Sequence, residues 1–161
     1  HSKHLPPLPG ENRRSLQLNQ PRSGSEHKII MGCGGLGVAV ATSLAAQRHI
    51  VHILDSQAEA FEQLPPSKIE DGFIVPLVGD GTLEEDLLRA SVRDANVFLA
   101  LSGTDTVNAL AAQMAKHLYR VPTVICRVDD PTIQGMYGGL GIVAISATSL
   151  VAQMALEKAG A

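Results

Sequence analysis

One glycine-rich segment, residues 28 to 55, constrains the fold more strongly than any other part of the sequence. A short apolar run leads into Gly32-Cys33-Gly34-Gly35-Leu36-Gly37, which matches G-x-G-x-x-G, and an alanine-rich run follows. A second apolar run then ends on Asp55. A strand, a glycine turn, a helix and a strand that ends in an acid form the first βαβ unit of a dinucleotide-binding Rossmann fold. We therefore expect this segment to bind a nucleotide.

Each glycine of the motif has its own predicted role. Gly32 permits a tight turn out of the strand, Gly34 lets a pyrophosphate approach the main chain, and Gly37 lets the helix sit close to the sheet. The helix N-terminus presents free N–H groups and a partial positive charge to the phosphates. The predicted phosphate-binding residues are Gly32, Cys33, Gly34, Gly35, Leu36 and Gly37.

Asp55 is the predicted ribose-binding residue. Its carboxylate would accept hydrogen bonds from both hydroxyls of an adenosine ribose, and it would repel the 2′-phosphate of NADP. The next residue, Ser56, is not an arginine that could compensate, so NADP is disfavoured. In the alternative interpretation, Asp55 only caps a helix that starts near Gln57.

The rest of the chain alternates short apolar runs with alanine- and leucine-rich segments, which is typical of repeated βαβ units. Hydrophobic residues make up 45% of the chain and aromatic residues only 3%, so the core must be aliphatic. We predict a Rossmann-like, doubly wound α/β fold with a six-stranded, mainly parallel sheet in the order 3-2-1-4-5-6 and helices on both faces. The predicted strands are 28–32, 50–54, 73–78, 96–101, 123–127 and 142–145.

Three helix features can be predicted from local patterns. Thr82 and Glu85 have the spacing of a capping box. Apolar residues at helical spacing predict a helix from about Asp105 to Tyr119. A last helix, apolar at positions 150, 151, 154 and 155, runs nearly to the end of the sequence and is a candidate subunit contact.

Further candidate ligand contacts follow strands three, four and five. The predicted residues are Asp80, Gly81, Ser102, Gly103, Thr104 and Arg127. Strand three neighbours strand two, so Asp80 would lie near the adenine end of the crevice; alternatively, it is a loop aspartate beside Thr82. Residues 102–104 would face ribose or phosphate from the opposite side, or Thr104 or Asp105 would only cap the next helix.

Arg127 ends strand five, where an arginine could reach a ligand phosphate. It could instead pair with Asp129 or Asp130, or form a bond across a subunit interface.

Charge and composition exclude several classes of partner. Residues 1–28 carry five basic and two acidic residues, which leaves eight basic and fourteen acidic residues for the rest of the chain. An acidic body with few aromatic residues argues against nucleic acid as a partner. Cys33 and Cys126 are far apart in the sequence and indicate neither a disulfide framework nor a metal site. No apolar run is long enough to span a membrane, so we expect no direct membrane insertion.

Residues 1–27 are rich in proline and polar residues, and residues 28–161 are the expected nucleotide-binding domain. The first segment is predicted to be a disordered arm, a tag remnant or a linker.

Several segments together resemble the nucleotide-binding lobe of the RCK/KTN family, also called TrkA-N. They are "IIMGCGGLG", "VHILD", "PLVGDGT", "ANVFLALSGTDTVN" and "CRVDDP". The resemblance covers residues 28 to about 160. It implies a cytoplasmic, non-catalytic sensor, peripheral to the inner membrane through its partner, that gates a membrane-embedded potassium transporter or channel as a homodimer or higher ring.

The resemblance also implies ligands and contacts. The ligand would be NAD(H), ADP or ATP, with AMP possible. Gly32, Gly34 and Gly37 would contact the phosphates, Asp55 the ribose and Asp80 the adenosine. Residues 102–104 and Arg127 would line the far side. Family members that favour ATP often carry an arginine at the position of Gly35, so a terminal phosphate would lack that partner here. The resemblance ends at a crossover helix, without the family's second lobe.

Two other functional classes stay open at this stage. The chain could be the cofactor-binding half of an NAD-dependent oxidoreductase, although it has no catalytic motif: Tyr-x-x-x-Lys, G-x-S-x-G and G-x-x-x-x-G-K-[ST] are all missing. No catalytic residue is therefore predicted. It could also be a structural module whose crevice is empty.

Overall fold

The computed structural model describes residues 26–161, which form one six-stranded sheet in the order β3-β2-β1-β4-β5-β6. The strands are β1 His27–Met31, β2 Ile50–Asp55, β3 Ile74–Val78, β4 Val97–Ala100, β5 Thr123–Arg127 and β6 Val143–Ile145. Every neighbouring pair is parallel, so the predicted fold class and strand order are confirmed. Residues 1–25, most of the predicted arm, lie outside the described residues. His27, which was predicted to belong to that arm, instead opens β1.

Within residues 26–161, six α-helices connect or follow these strands. They are α1 Gly35–Ala46, α2 Pro66–Glu70, α3 Glu84–Arg89, α4 Asp105–Gln113, α5 Pro131–Tyr137 and α6 Ala147–Lys158. A π turn over Met114–Leu118 prolongs α4, so the helical segment ends one residue before the predicted Tyr119. Short 3₁₀ turns lie at Ala58–Gln63, Val92–Asp94 and Gly138–Leu140.

The hydrophobic core lies on both faces of the sheet. Ile29 packs with Phe98 and the alanines of α4 on one face, while the next residue, Ile30, packs with the α1 side on the other. Ile29 and Ile30 are both fully buried. Successive residues of a strand point to opposite faces, so a sheet covered on both sides needs continuous apolar runs. This is why the strands could be predicted from such runs.

The predicted capping box at Thr82 is wrong. Helix α3 begins at Glu84, and its N-cap residue, Leu83, makes no side-chain cap hydrogen bond. The Thr82 hydroxyl instead donates to Oδ1 of Asp80 over 2.6 Å. The competing acceptor two residues upstream therefore holds Thr82 in the loop before the helix. The first turn of α3 carries the acidic residues Glu84, Glu85 and Asp86, which suit the positive end of the helix dipole.

Helix α6 contains no buried residue. Its large apolar side chains are mostly exposed: Leu150 to 55%, Val151 to 68%, Met154 to 56% and Leu156 to 58%. This helix therefore contributes almost nothing to the core of the sheet.

Candidate functional site

A crevice of about 300 Å³ lies at the carboxyl ends of the first four strands. The central strand β1 pairs with β2 on one side and β4 on the other, so the crevice sits where the direction of strand order reverses. Open α/β sheets bind ligands at this point. The residues that line the crevice are Met31, Gly32, Leu54, Asp55, Ser56, Gly79, Asp80, Gly81, Ser102, Thr104 and Val107.

The structure brings many of the predicted site residues together here. The predicted residues in the lining are Gly32, Asp55, Ser56, Asp80, Gly81, Ser102 and Thr104. Those outside the lining are Cys33, Gly34, Gly35, Leu36, Gly37, Gly103 and Arg127. Of the glycine loop, residues 34–36 are exposed at the start of α1, next to the crevice residue Gly32. The site thus consists of the crevice and, beside it, the exposed N-terminus of α1.

Gly32 makes the turn out of β1. Its φ of +102° is one that side chains rarely adopt, and an added Cβ would lie 2.7 Å from the Cα of Ser102. Its N–H donates to the carbonyl of Leu54 over 2.8 Å. Gly32 is therefore hydrogen-bonded to the end of β2 and lies against the backbone that follows β4, so no larger residue fits there.

The other motif glycines differ in their surroundings. A Cβ on Gly37 would collide with the carbonyl oxygen of Gly32. Helix α1 can therefore lie this close to the end of β1 only because residue 37 is glycine. Gly34 and Gly35 have open space where a Cβ would stand. Gly34 is the N-cap of α1 and makes no side-chain cap hydrogen bond. The N-terminus of this twelve-residue helix is therefore open to an incoming anion.

Asp55 holds the glycine loop as well as the next turn. Its Oδ2 accepts from the N–H of Cys33 and its Oδ1 from the N–H of Gln57, each over 2.9 Å. The N-cap residue of the following 3₁₀ turn is Gln57, so Asp55 does not cap a helix as the alternative predicted, and it remains in the crevice lining. Each carboxylate oxygen keeps a lone pair that a ribose hydroxyl could use.

Cys33 contributes neither a free N–H nor a reactive thiol. Its N–H is engaged by Asp55, and its Sγ lies 3.3 Å from the carbonyl oxygen of Ala60. Burial raises the pKa of this thiol to about 11, and burial does the same for Cys126. Both thiols are thus uncharged near neutral pH and behave as small buried apolar groups.

Asp80 is fixed by its own loop. Its Oδ1 accepts from the N–H of Thr82 over 2.8 Å as well as from the hydroxyl. Its N–H donates to Oδ2 of Asp86 over 2.8 Å, and this bond lowers the pKa of the Asp86 carboxyl, to which Arg89 also contributes. A Cβ on Gly81 would collide with the side chain of Met31, so the loop rests directly on the end of β1.

A residue that the sequence did not indicate, Asn108, organises the other wall of the crevice. Asn108 lies in α4 and is fully buried. Its Oδ1 accepts from the N–H and the hydroxyl of Ser102 over 2.9 and 2.6 Å. Its Nδ2 donates to the carbonyls of Ser102 and Arg127 over 2.8 and 2.9 Å. The available signal was one amide on an otherwise alanine-rich helix face.

Arg127 pairs within the chain, as one of the alternatives for it predicted. Its Nη2 lies 3.7 Å from Oδ2 of Asp129. Asp129 also accepts from the Ser146 hydroxyl over 3.2 Å and from the Thr148 N–H over 3.1 Å, at the start of α6. The pKa of Asp129 is lowered first by the hydrogen bond from Thr148, with Ser146 and Arg127 contributing less.

Neither a metal-binding cluster nor a membrane-spanning helix is found within residues 26–161. None of these residues form a group of three His, Cys, Asp or Glu side chains that could hold a metal ion. No helix in this part of the chain has the length and hydropathy needed to cross a membrane.

Known proteins resemble this chain in sequence. The TrkA-N domain family matches residues 28–147. The Trk system potassium uptake protein TrkA of Streptomyces coelicolor is 33% identical over 133 residues, 82% of this chain and 57% of that protein. The TrkA homolog of Pyrococcus horikoshii is 36% identical over 103 residues, 64% of this chain and 43% of that protein. The chain spans about half the length of these curated relatives.

Solved structures share the fold. The TrkA-N domain of the inner membrane protein YbaL from Escherichia coli superposes with a TM-score of 0.70 at 13% identity, over 83% of this chain and 96% of that chain. GsuK bound to ADP superposes with a TM-score of 0.67 at 20% identity, over 80% and 32% of the two chains. The GsuK channel bound to NAD gives a TM-score of 0.58 at 18% identity, over 82% and 24%. The sequence match, which extends over most of the described residues, places the chain in the TrkA-N domain family.

Proposed function

We propose that this chain is a regulatory domain that binds an adenine nucleotide and thereby controls potassium transport. The observation that carries the proposal is the meeting of the glycine turn at Gly32 with Asp55 in one crevice. This arrangement suits a nucleotide whose ribose bonds to the carboxylate and whose phosphates lie on the N-terminus of α1. The names of the relatives, Trk potassium uptake proteins, support the link to potassium.

The expected ligands are NAD(H), ADP and ATP, with AMP possible. Related folds have been solved with ADP and with NAD, which supports this range of ligands. NADP is disfavoured because its 2′-phosphate would meet the Asp55 carboxylate, and the adjacent Ser56 brings no positive charge.

The proposed partner is a membrane-embedded potassium transporter or channel subunit. The domain would sit in the cytoplasm at the inner membrane, held there by that partner, as a homodimer or a higher ring. The exposed apolar side chains of α6 support a subunit contact on that helix. A nucleotide would control the partner only if it binds two arrangements of the assembly with different affinities.

A thermal-shift panel tests the binding step. A ligand that binds only the folded chain raises the melting temperature by mass action, so AMP, ADP, ATP, NAD and NADH should include stabilising ligands, and NADP should be weaker than NAD. If no adenine nucleotide raised the melting temperature, the proposed function would fail.

The cofactor-binding half of an NAD-dependent oxidoreductase is the alternative, because the same crevice suits NAD. The absorbance of NADH, followed over time with an excess of this chain, separates the two functions. Substrate-dependent oxidation of NADH by this chain would favour the oxidoreductase; binding without turnover favours the regulatory domain.

A further inference from the structure

The buried amide of Asn108 has only one possible orientation. Its Nδ2 faces the carbonyl oxygens of Ser102 and Arg127, which can only accept hydrogen bonds. Its Oδ1 must therefore be the atom that faces the N–H and the hydroxyl of Ser102. This orientation is set by the protein alone, with no ligand involved.

The fixed amide determines what the Ser102 hydroxyl can offer. The hydroxyl has one proton, and the Asn108 oxygen lies 2.6 Å away to accept it. The other acceptor in reach, the carbonyl of Thr104 at 3.5 Å, also belongs to the protein. One lone pair of the hydroxyl oxygen accepts from the N–H of Thr104 over 3.3 Å, and because Ser102 lines the crevice, the second lone pair, and no proton, is left for a ligand there.

The charges around the crevice, like the lone pairs of Ser102, disfavour phosphate oxygens there. Among the described residues 26–161, the lining includes the carboxylates of Asp55 and Asp80 and no Lys, Arg or His. The guanidinium of Arg89 lies beside Gly79 but is bonded to the Val78 carbonyl over 2.8 Å and to Asp86 over 3.1 Å. A crevice of this size lies within about one Debye length, roughly 10 Å at 0.1 M salt, so phosphate oxygens inside it are repelled by both carboxylates.

We propose that Ser102, positioned by Asn108, selects nucleotides that place a sugar hydroxyl rather than a phosphate at the end of β4. This inference rests on the proposed function. The adenosine ribose bonds to Asp55, the phosphates stay on the open N-terminus of α1, and a second ribose donates a hydroxyl to Ser102. A ligand built as ADP-ribose, which includes the dinucleotides, is therefore preferred over ATP. Ser102 is the specificity residue of the crevice and Asn108 is its positioning residue.

Calorimetric titration with AMP, ADP-ribose and ATP tests this proposal on the wild-type chain, on Ser102→Ala, and on the control Ser67→Ala, whose side chain is exposed on α2. Wild type and Ser67→Ala should bind ADP-ribose more tightly than ATP. Ser102→Ala should lose about three- to tenfold in ADP-ribose affinity, as expected for one hydrogen bond, and keep its AMP affinity.

Asn108→Ala tests the positioning role through the ratio of ADP-ribose to AMP affinity. The ratio is measured within one folded variant, so a loss of stability alone does not change it; the proposal expects the ratio to fall. If this variant does not fold, the titrations of Ser102→Ala still test the proposal.

Three results would overturn the proposal while leaving the proposed function standing: ATP binding to wild type as tightly as ADP-ribose, an equal loss for AMP and ADP-ribose in Ser102→Ala, or no loss for either. Absence of binding by all three ligands would instead overturn the proposed function itself.

Discussion

Asp55 and Cys33 are joined by a 2.9 Å hydrogen bond, donated by the main-chain N–H of Cys33 to Oδ2 of Asp55. The residue predicted to contact the ribose therefore also holds the loop predicted to contact the phosphates. A single carboxylate thus couples the two halves of the site, so its removal should affect both the loop and the ligand.

Asp55→Ala is expected to remove most adenine-nucleotide binding, because it deletes the ribose acceptor and frees the Cys33 N–H from its partner. Loss of the hydrogen bonds to the loop and to Gln57 should also lower the free energy of unfolding by about 1–3 kcal/mol. Calorimetric titration and urea unfolding measure the two effects. Asp71→Ala, in the exposed turn after α2, is the matched control and should change neither. Normal nucleotide affinity in Asp55→Ala would remove Asp55 from the site.

A pair of glycine substitutions separates folding from binding. Gly32→Ala forces a side chain onto a φ of +102° and against the backbone of Ser102, so it should cost about 3 kcal/mol or more of unfolding free energy. Gly34→Ala has open space and a φ of −82°, so its stability should change by less than about 1 kcal/mol. We expect its added methyl to obstruct the phosphates and weaken nucleotide binding. Urea unfolding and titration of both variants check this; equal stabilities would contradict it.

Val151→Glu tests the assembly role of α6. Val151 is 68% exposed, so a charge there should leave the fold intact while disrupting an apolar contact between two copies of the chain. Sedimentation velocity should show a dimer or larger species for wild type and a shift toward monomer for the variant. Gln153→Glu, which changes the charge at an exposed polar position of the same helix, should stay assembled. A monomeric wild-type chain would contradict the prediction.

The paired histidines His27 and His52 should make stability depend on pH. Nε2 of His27 lies 2.6 Å from Nδ1 of His52. Burial, and then the charge of His27, lower the pKa of His52 to about 4; burial also lowers the pKa of His27, although Asp94 opposes this. Both folded-state values lie below the unfolded value of about 6.5, so the unfolded chain binds more protons below that pH. The free energy of unfolding should therefore fall as pH drops below about 6.5 and level off for this pair only near the His52 pKa of about 4.

Urea unfolding between pH 5 and 7 checks this before carboxylates titrate. His52→Gln should flatten the slope, whereas His117→Gln, at an exposed position, should keep it. A wild-type stability that does not change over this range would contradict the assignment.

The fold could be predicted from the sequence because strands buried on both faces consist of uninterrupted apolar runs. Their carboxyl ends meet at one edge of a parallel sheet, so Asp55, Asp80 and Ser102 could be grouped from the sequence alone. The glycine spacing then indicated where phosphates would lie. These are local patterns combined with one topological rule.

Other features depended on competition between neighbouring groups, which spacing does not express. Thr82 had two possible partners, and the Asp80 carboxylate was the one it bonded. Asn108 resembled any polar residue in a helix until its four hydrogen bonds joined the ends of β4 and β5. Arg127 had several acceptors within reach along the sequence, and only the geometry identified Asp129.

The all-parallel sheet also determines when the crevice can form during folding. Met31 of β1 pairs with Ala100 of β4, far along the chain, and within residues 26–161 no two adjacent strands are joined by a hairpin. Contacts between such distant segments form slowly. The turn at Gly32 can form with the first βαβ unit, but Ser102 joins it only after β4 has docked. During synthesis, a nascent chain would therefore build its phosphate loop early and become able to hold a complete ligand only late.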